Sequence, residues 1–215
     1  LTPFPPGKFG AILCDPPWPY QTFSAKGKGR SAKSHYDTMA LDDIRALPVG
    51  RWAADDCVLF LWAHNSLLPA ALDVMAAWGF TYRARGFTWL KVYPERDDLF
   101  PQAPRPVVGL GKWTRLSTEL CFLGTRGTPR PFSHDVREVI VAPRREHSRK
   151  PDEIYALIER LVPGPYLELF SSSSAPHRPG WTRWVGKDRA AVRRWPSNSY
   201  PGEAACGRST PGAPQ

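Results

Sequence analysis

Asp15-Pro16-Pro17-Trp18 is the segment of this chain best equipped for chemistry. It follows directly on Gly10–Cys14, a short apolar run that reads as a buried strand, so the carboxylate stands at a strand end. Two prolines forbid further strand and fix a rigid turn. Pro16 has no N–H, and the carbonyls of the turn are held as acceptors. Trp18 adds a flat aromatic face. Asp15, Pro16, Pro17 and Trp18 together make a socket for a planar group bearing an NH2. Its amine donates to the Asp15 carboxylate and the Pro16 carbonyl while its ring stacks on an aromatic. The exocyclic amine of adenine has this shape. Its lone pair is conjugated into the ring, and two acceptors holding both N–H bonds favour a more tetrahedral nitrogen that meets an electrophile. A neutral amine needs no strong base before attack, so Asp15 would polarise and orient, with the proton lost late. The plainer reading of the same residues is a structural Pro-Pro turn with a satisfied carboxylate.

The elements that must carry this socket alternate between strand and helix. Cys57–Ala63 is a second apolar run of strand length. Leu41–Leu47 reads as a short helix with acids in its first turn. Asn65–Trp78 reads as a longer one, with Asn65 as cap and Gly79 as stop. Phe80–Lys91 reads as one or two strands, Thr118–Leu123 and Val136–Val141 as further strands. Lys150-Pro151-Asp152-Glu153 opens a helix whose apolar face is Ile154, Leu157, Ile158 and Leu161. Tyr166–Phe170 is another strand, running into Ser171–Ser174. This alternation predicts an α/β domain with a mostly parallel central sheet and helices on both faces. Sites in such sheets lie at the carboxyl ends of strands. The ends before Asp15 and Ser171 are remote in sequence, and as sheet neighbours they would share one site.

Two long loops interrupt the pattern. Ser24–Ser34 is Gly/Lys/Ser-rich and lacks P-loop spacing; Tyr93–Lys112 is rich in Pro, Gly and charge. Residues 1–188 are expected to form the domain, and 189–215, an Arg/Pro/Gly/Ser/Ala stretch without periodicity, a disordered tail.

The 215 residues are enough for one such domain, and no apolar run approaches a membrane span. The opening LTPFPPGKFG lacks an initiator Met and shows no secretory signal pattern. Cys14, Cys57, Cys121 and Cys206 are too scattered for a zinc module or a disulfide framework, and no metal site is read; a reducing cytoplasm fits. The net charge of +9 points to an anionic partner, nucleic acid above all, or to a solvated basic surface. The nine tryptophans are either core or stacking platforms for unpaired bases.

The chain also resembles a known family. Asp15-Pro16-Pro17-Trp18 resembles motif IV of the MT-A70 family of S-adenosylmethionine-dependent adenine-N6 methyltransferases, in its bacterial or phage type. Further segments follow in the family's order over about residues 7–184. They are His35–Met39, Leu59–Trp62, Trp78-Gly79-Phe80, Trp89-Leu90-Lys91, Glu119-Leu120-Cys121, Ser148–Glu153, Leu167–Phe170 and Pro179-Gly180-Trp181.

The resemblance implies a Rossmann-like methyltransferase fold, circularly permuted so that the DPPW strand precedes the strand beginning the cofactor site. It implies that Asp15 touches both the target amine and the amino group of S-adenosylmethionine. Lys150 would reach the cofactor carboxylate or hold the pocket, and Glu168 and Phe170 would border its ribose and methionine. Tyr36 and the loop from Tyr20 to Ser34 would gate and stack the substrate base, with Lys26, Lys28 and Arg30 on phosphates. Lys150, Glu168 and Tyr36 have plainer readings as an exposed helix-start residue, an ion-paired strand residue and a packing aromatic. The family usually has Gly or Ala and then Arg after ELF; here Ser171 and Ser172 stand there. A serine is expected to be strained at that turn, and His177 or Arg178 to substitute for the missing Arg. DNA is the preferred substrate, RNA the alternative, and a catalytically inactive nucleic-acid-binding or partner subunit the third reading. A homodimer or a partner subunit fits the resemblance equally.

Overall fold

The structure is a computed structural model. It describes residues 5–19, 38–94, 103–109, 111, 113–145, 149–171 and 177–186. The expected tail and the loop holding Tyr20, Lys26, Lys28, Arg30 and Tyr36 lie outside the described residues.

Seven strands form one sheet: β1 (Phe9–Cys14), β2 (Ala53–Ala63), β3 (Thr81–Val92), β4 (Thr118–Arg126), β5 (Val139–Pro143), β6 (Tyr166–Leu169) and β7 (Trp181–Trp184). Their order across the sheet is β5-β3-β4-β2-β1-β6-β7. β4 is antiparallel to both its neighbours, and the remaining pairs are parallel. The sheet is therefore mixed and mostly parallel, the α/β Rossmann-like arrangement expected. β1 lies between β2 and β6, with Cys14 opposite Leu61 on one side and Leu169 on the other. The two strand ends that looked important in the sequence are thus neighbours.

The period-2 alternation of strands explains the layers. Ile12, Cys14, Leu59 and Leu61 point to one face and pack with Ile44, Val74 and Met75. These come from helices α1 (Leu41–Arg45) and α3 (Leu68–Ala77); α2 (Val49–Trp52) packs on the same side. Ala11, Leu13, Val58 and Phe60 point to the other face, under Ile154 and Ile158 of α4 (Glu153–Leu161). Both faces are covered, as a parallel sheet requires.

Several boundaries differ from the sequence reading. Asn65 is not a cap. His64 caps instead, accepting the Ser66 N–H at 3.3 Å, and Asn65–Leu67 form a 3-10 turn before α3 begins. Pro69 falls in the first turn of α3, where its missing N–H costs nothing. Phe80–Lys91 resolves as one strand, irregular between Tyr82 and Ala84 and between Arg85 and Phe87. β5 begins three residues later than the apolar pattern suggested, at Val139. β7 is a short edge strand whose four residues gave too little periodicity to read.

Of the eight described tryptophans seven are buried, and Trp113 is 92% exposed. Three core indole N–H groups find carbonyls, Trp18 donating to Trp62, Trp78 to Ile44 and Trp89 to Ala142, and Trp181 donates to the Glu159 carboxylate. Among the described residues no helix is long and apolar enough to cross a membrane.

Candidate active site

The carboxyl edge of the sheet collects its functional side chains from five strands. Asp15 directly follows β1, His64 follows β2, β3 carries Lys91 near its end, and Phe170 follows β6. β4, running the other way, brings Glu119 to the same edge at its start, opposite Trp89.

The turn after β1 is pinned from both sides. The Trp18 N–H donates to the Pro16 carbonyl at 2.8 Å, and the Met39 N–H to the Pro17 carbonyl at 2.8 Å. The Pro16 oxygen keeps a second lone pair beyond that bond, so it remains an acceptor. The Trp18 indole differs from expectation. Its ring is 9% exposed and its Nε1 donates to the Trp62 carbonyl at 2.8 Å, so it ties the turn to β2 rather than presenting a broad open face.

Behind the turn runs a chain of alternating charge. Lys150 Nζ lies 2.7 Å from Asp15 Oδ2 and 3.2 Å from Glu119 Oε2. Lys91 pairs with the other Glu119 oxygen. Lys150 also lies over the Trp62 ring, 5.6 Å from its centroid, and Lys91 over Trp89 at 5.1 Å. The Lys150 backbone is clamped in turn: Arg145 donates to its carbonyl at 2.6 Å and pairs with Asp152 at 2.7 Å. The Lys-Pro-Asp segment is thus a mount for one ammonium, and the expectation of a merely exposed helix-start lysine does not hold, since the Lys150 side chain is 14% exposed.

The electrostatics follow from how many partners each group has. Burial alone would lift the Glu119 carboxyl, but Lys150 and Lys91 outweigh it and hold it down at about 2. Burial alone would lower Lys150, but Asp15 and Glu119 reverse that and raise it. Asp15 has one cation, already shared. Burial pushes its carboxyl above the ordinary range, Lys150 only partly opposes this, and Glu119 adds to the rise. Asp15 lies deep among neighbours yet keeps 40% of its side chain exposed, so it is the member of the chain that a ligand can meet. His64, held by Ser66 at 2.8 Å, is lowered by burial, with Glu119 opposing.

The β6 end is built differently. Glu168 accepts from the Tyr155 hydroxyl at 2.9 Å and faces Arg183 of β7 at 3.8 Å. Arg183 also donates to Ser171 Oγ at 2.8 Å, and the Ser171 N–H to the Trp184 carbonyl at 3.1 Å. Burial raises the Glu168 carboxyl despite these donors. The strained position expected at the serines falls one residue earlier: Phe170 has φ 61°. Its ring meets Trp184 edge-on at 5.4 Å. Ser171 is buried and fully engaged instead. His177 is exposed and makes no hydrogen bond or ion pair among the described residues. Arg178 lies over the Tyr155 ring at 4.3 Å, which ties it to the Glu168 network.

The structure therefore brings together Asp15, Pro16, Lys150, Glu168 and Phe170, and leaves His177 outside. Glu119, Lys91 and His64 were missed as site residues. Glu119 and Lys91 each carried a signal: a charge standing where an apolar strand begins or ends.

The donor set fits S-adenosylmethionine. A carboxylate (Asp15) suits its ammonium, an ammonium (Lys150) its carboxylate, and the aromatic and acidic residues ending β6 suit the remainder.

Residues 9–187 match the family model described as MT-A70. The N(6)-adenosine-methyltransferase MT-A70-like of Arabidopsis thaliana is 33% identical over 81% of this chain and 23% of its own length. The N(6)-adenosine-methyltransferase catalytic subunit METTL3 of Homo sapiens is 33% identical over 81% of this chain and 27% of its own. The Type II methyltransferase M.MunI of Mycoplasma sp is 28% identical over 84% of this chain and 78% of its own. The chain thus spans about a quarter of the length of the first two relatives and most of the third.

Proposed function

This chain belongs to the MT-A70 family, and we propose that it methylates the N6 amine of adenine in DNA, with the base seated against the DPPW turn. Methyltransferases of the family use S-adenosylmethionine, which supplies an electrophilic methyl group when bound. The observation that carries the reading is the position of Asp15: accessible, at the end of a central strand, and backed by a buried ammonium.

Asp15 accepts one N–H of the target amine and the Pro16 carbonyl the other. Both acceptors are fixed before the base arrives, so little reorganisation accompanies attack. Lys150 holds Asp15 in place and offers its charge to the cofactor carboxylate. Glu119, kept ionised by Lys150 and Lys91, joins Asp15 in keeping Lys150 protonated. The raised Asp15 carboxyl is a better proton acceptor than an ordinary aspartate once the amine carries its new methyl group. Glu168 and Phe170 border the cofactor, while Tyr20 and Tyr36 meet the base and Lys26, Lys28 and Arg30 the phosphates.

DNA is preferred because the similarity to M.MunI extends over 78% of that protein. The second reading, RNA, is favoured by the word adenosine in the names of relatives at 33% identity. Two further points belong to this reading: a cytoplasmic location, consistent with the reduced, buried Cys14, Cys57 and Cys121, and a partner subunit or second copy, in keeping with the word subunit in one relative's name.

The test is nucleoside mass spectrometry on DNA and RNA from a methylation-deficient host expressing this chain or its Asp15→Ala variant. N6-methyladenine should appear in DNA with the intact chain and fall at least about 100-fold in the variant. Signal confined to RNA transfers the assignment to the second reading. Equal signal with the variant removes Asp15 from the chemistry, and no signal in either nucleic acid overturns both substrates.

A further inference from the structure

The last part of the connection from β3 to β4 stands at the catalytic edge, and Lys91 is the root of both legs of it, at Val107 and at Ser117. The Lys91 N–H donates to the Ser117 carbonyl at 2.8 Å, and the Lys91 carbonyl accepts from the Val107 N–H at 2.8 Å. Higher up, the Gly109 N–H donates to the Leu116 carbonyl at 2.9 Å. The legs approach so closely that a Cβ on Gly109 would collide with the Leu116 carbonyl, and one on Gly111 with that of Thr114. The result is a narrow arm with Trp113 near its tip.

Four observations bear on what this arm meets. Trp113 is 92% exposed, whereas the seven other described tryptophans are buried. Residues 103–117 contain Arg105, Lys112 and Arg115 and no acidic residue. Arg105 and Arg115 are exposed and form no ion pair among the described residues; Arg105 stacks on Tyr93 at 5.3 Å. Trp113 lies four residues from Ser117, so chain length keeps its backbone within roughly 14 Å of Ser117, whose carbonyl accepts from the Lys91 N–H. The Lys91 ammonium is in turn the outer end of the chain that reaches Asp15.

We infer that this arm is a nucleic-acid contact, in which Trp113 stacks on an unpaired base beside the target and Arg105 and Arg115 meet flanking phosphates. An aromatic face set among cations is what a single strand requires, since every base has a π-face and every linkage a negative charge. The centre of a protein–protein contact is instead depleted in charge. The kinetic arm of the test rests on the methyl-transfer reading above; the binding arm does not.

The experiment uses the full chain and fluorescein-labelled single-stranded DNA and RNA oligonucleotides containing one adenine. Trp113→Ala should raise Kd by anisotropy, and KM for methyl transfer, by about 5- to 100-fold while kcat is kept. Trp113→Phe should recover most of the loss, because a phenyl ring still stacks. Phe132→Ala, which removes another exposed aromatic away from the arm, should change neither. An unchanged Kd in Trp113→Ala overturns the inference. So does a Trp113→Ala effect that appears as a change of oligomeric mass in sedimentation, which would assign the tip to a protein surface. An intact chain that binds no oligonucleotide overturns it as well. Tight binding without methyl transfer sinks the methyl-transfer reading alone, and the Trp113 variants then decide the arm by Kd.

Discussion

The two halves of the carboxyl edge solve the same problem with different chemistry. On the β1–β4 side, Lys91, Glu119, Lys150 and Asp15 form an ionic chain in which each internal member has two opposite charges against it. On the β6–β7 side, Glu168 has two neutral hydroxyls, those of Tyr155 and Ser171, and one distant guanidinium, which is itself shared with Ser171. The pKa directions record the contrast: Glu119 is held down at about 2 while Glu168 is raised. Buried charge survives in the first half because it is neutralised within the fold. In the second half compensation is incomplete, and burial still raises the Glu168 carboxyl. A site that must fix the protonation state of one carboxylate while accommodating a bound molecule gains from having both kinds of wall.

The sharpest way to break this contrast is Lys150→Met. It leaves two carboxylates facing each other, with only Lys91 to neutralise them. Loss of one member of a buried charge pair costs about 3–5 kcal/mol, and the 14% exposure of Lys150 places the expected loss near the lower figure. Denaturant melts at pH 7 should show it. The sign of its pH dependence is fixed. The Lys150 pKa is raised by folding, so its contribution is full below the ordinary lysine value and disappears as pH climbs past it. The stability gap between intact chain and variant should therefore close at strongly alkaline pH.

A smaller effect distinguishes charge from mere packing. Glu119→Gln keeps the shape and removes the like charge that helps lift Asp15. The acidic limb of the kcat/KM profile should move to lower pH, opposite in direction to Lys150→Met. The Glu119 carboxyl itself is depressed by folding, so its stabilisation is complete above the ordinary glutamate value and fades only as pH falls towards about 2. Intact chain and variant should converge in stability there. Limbs that fail to move in opposite directions would show that the ionic chain does not set the Asp15 proton. The smallest effect belongs to the other wall. Tyr155→Phe removes one donor from Glu168 and should cost about 1 kcal/mol in stability or cofactor affinity, measured by calorimetry.

What the sequence reveals and what it hides divide along the same line. Central strands were legible because both faces are buried and the apolar run is continuous, as in Leu59–Ala63. The meeting of the Asp15 and Ser171 ends was legible from the logic of parallel sheets. The Lys91–Glu119 pair was not. It depends on the register of β3 against β4, with Trp89 opposite Glu119, and β3 is irregular at two places before it reaches that pairing. A register with bulges cannot be counted off a sequence. Phe170 at φ 61° was missed for another reason: glycine and serine rules assign left-handed backbone to small residues, and here the surrounding strands impose it on an aromatic one. Trp18 shows the limit of reading a side chain by type, since its ring serves the core and its N–H the turn.

The pairing of β1 with β6 also sets a timetable. Asp15 directly follows the earliest of the described strands, and one of the two strands that flank that strand is the sixth. At 5–20 residues per second, the roughly 150 residues between them occupy the ribosome for on the order of 8–30 s. Throughout that interval the apolar strand that leads into Asp15 has one edge unpaired, exposed to chaperones and to other nascent chains. The open edge of β1 is therefore covered late, when the final stretch of the domain, from Tyr166 onward, folds back beside its beginning.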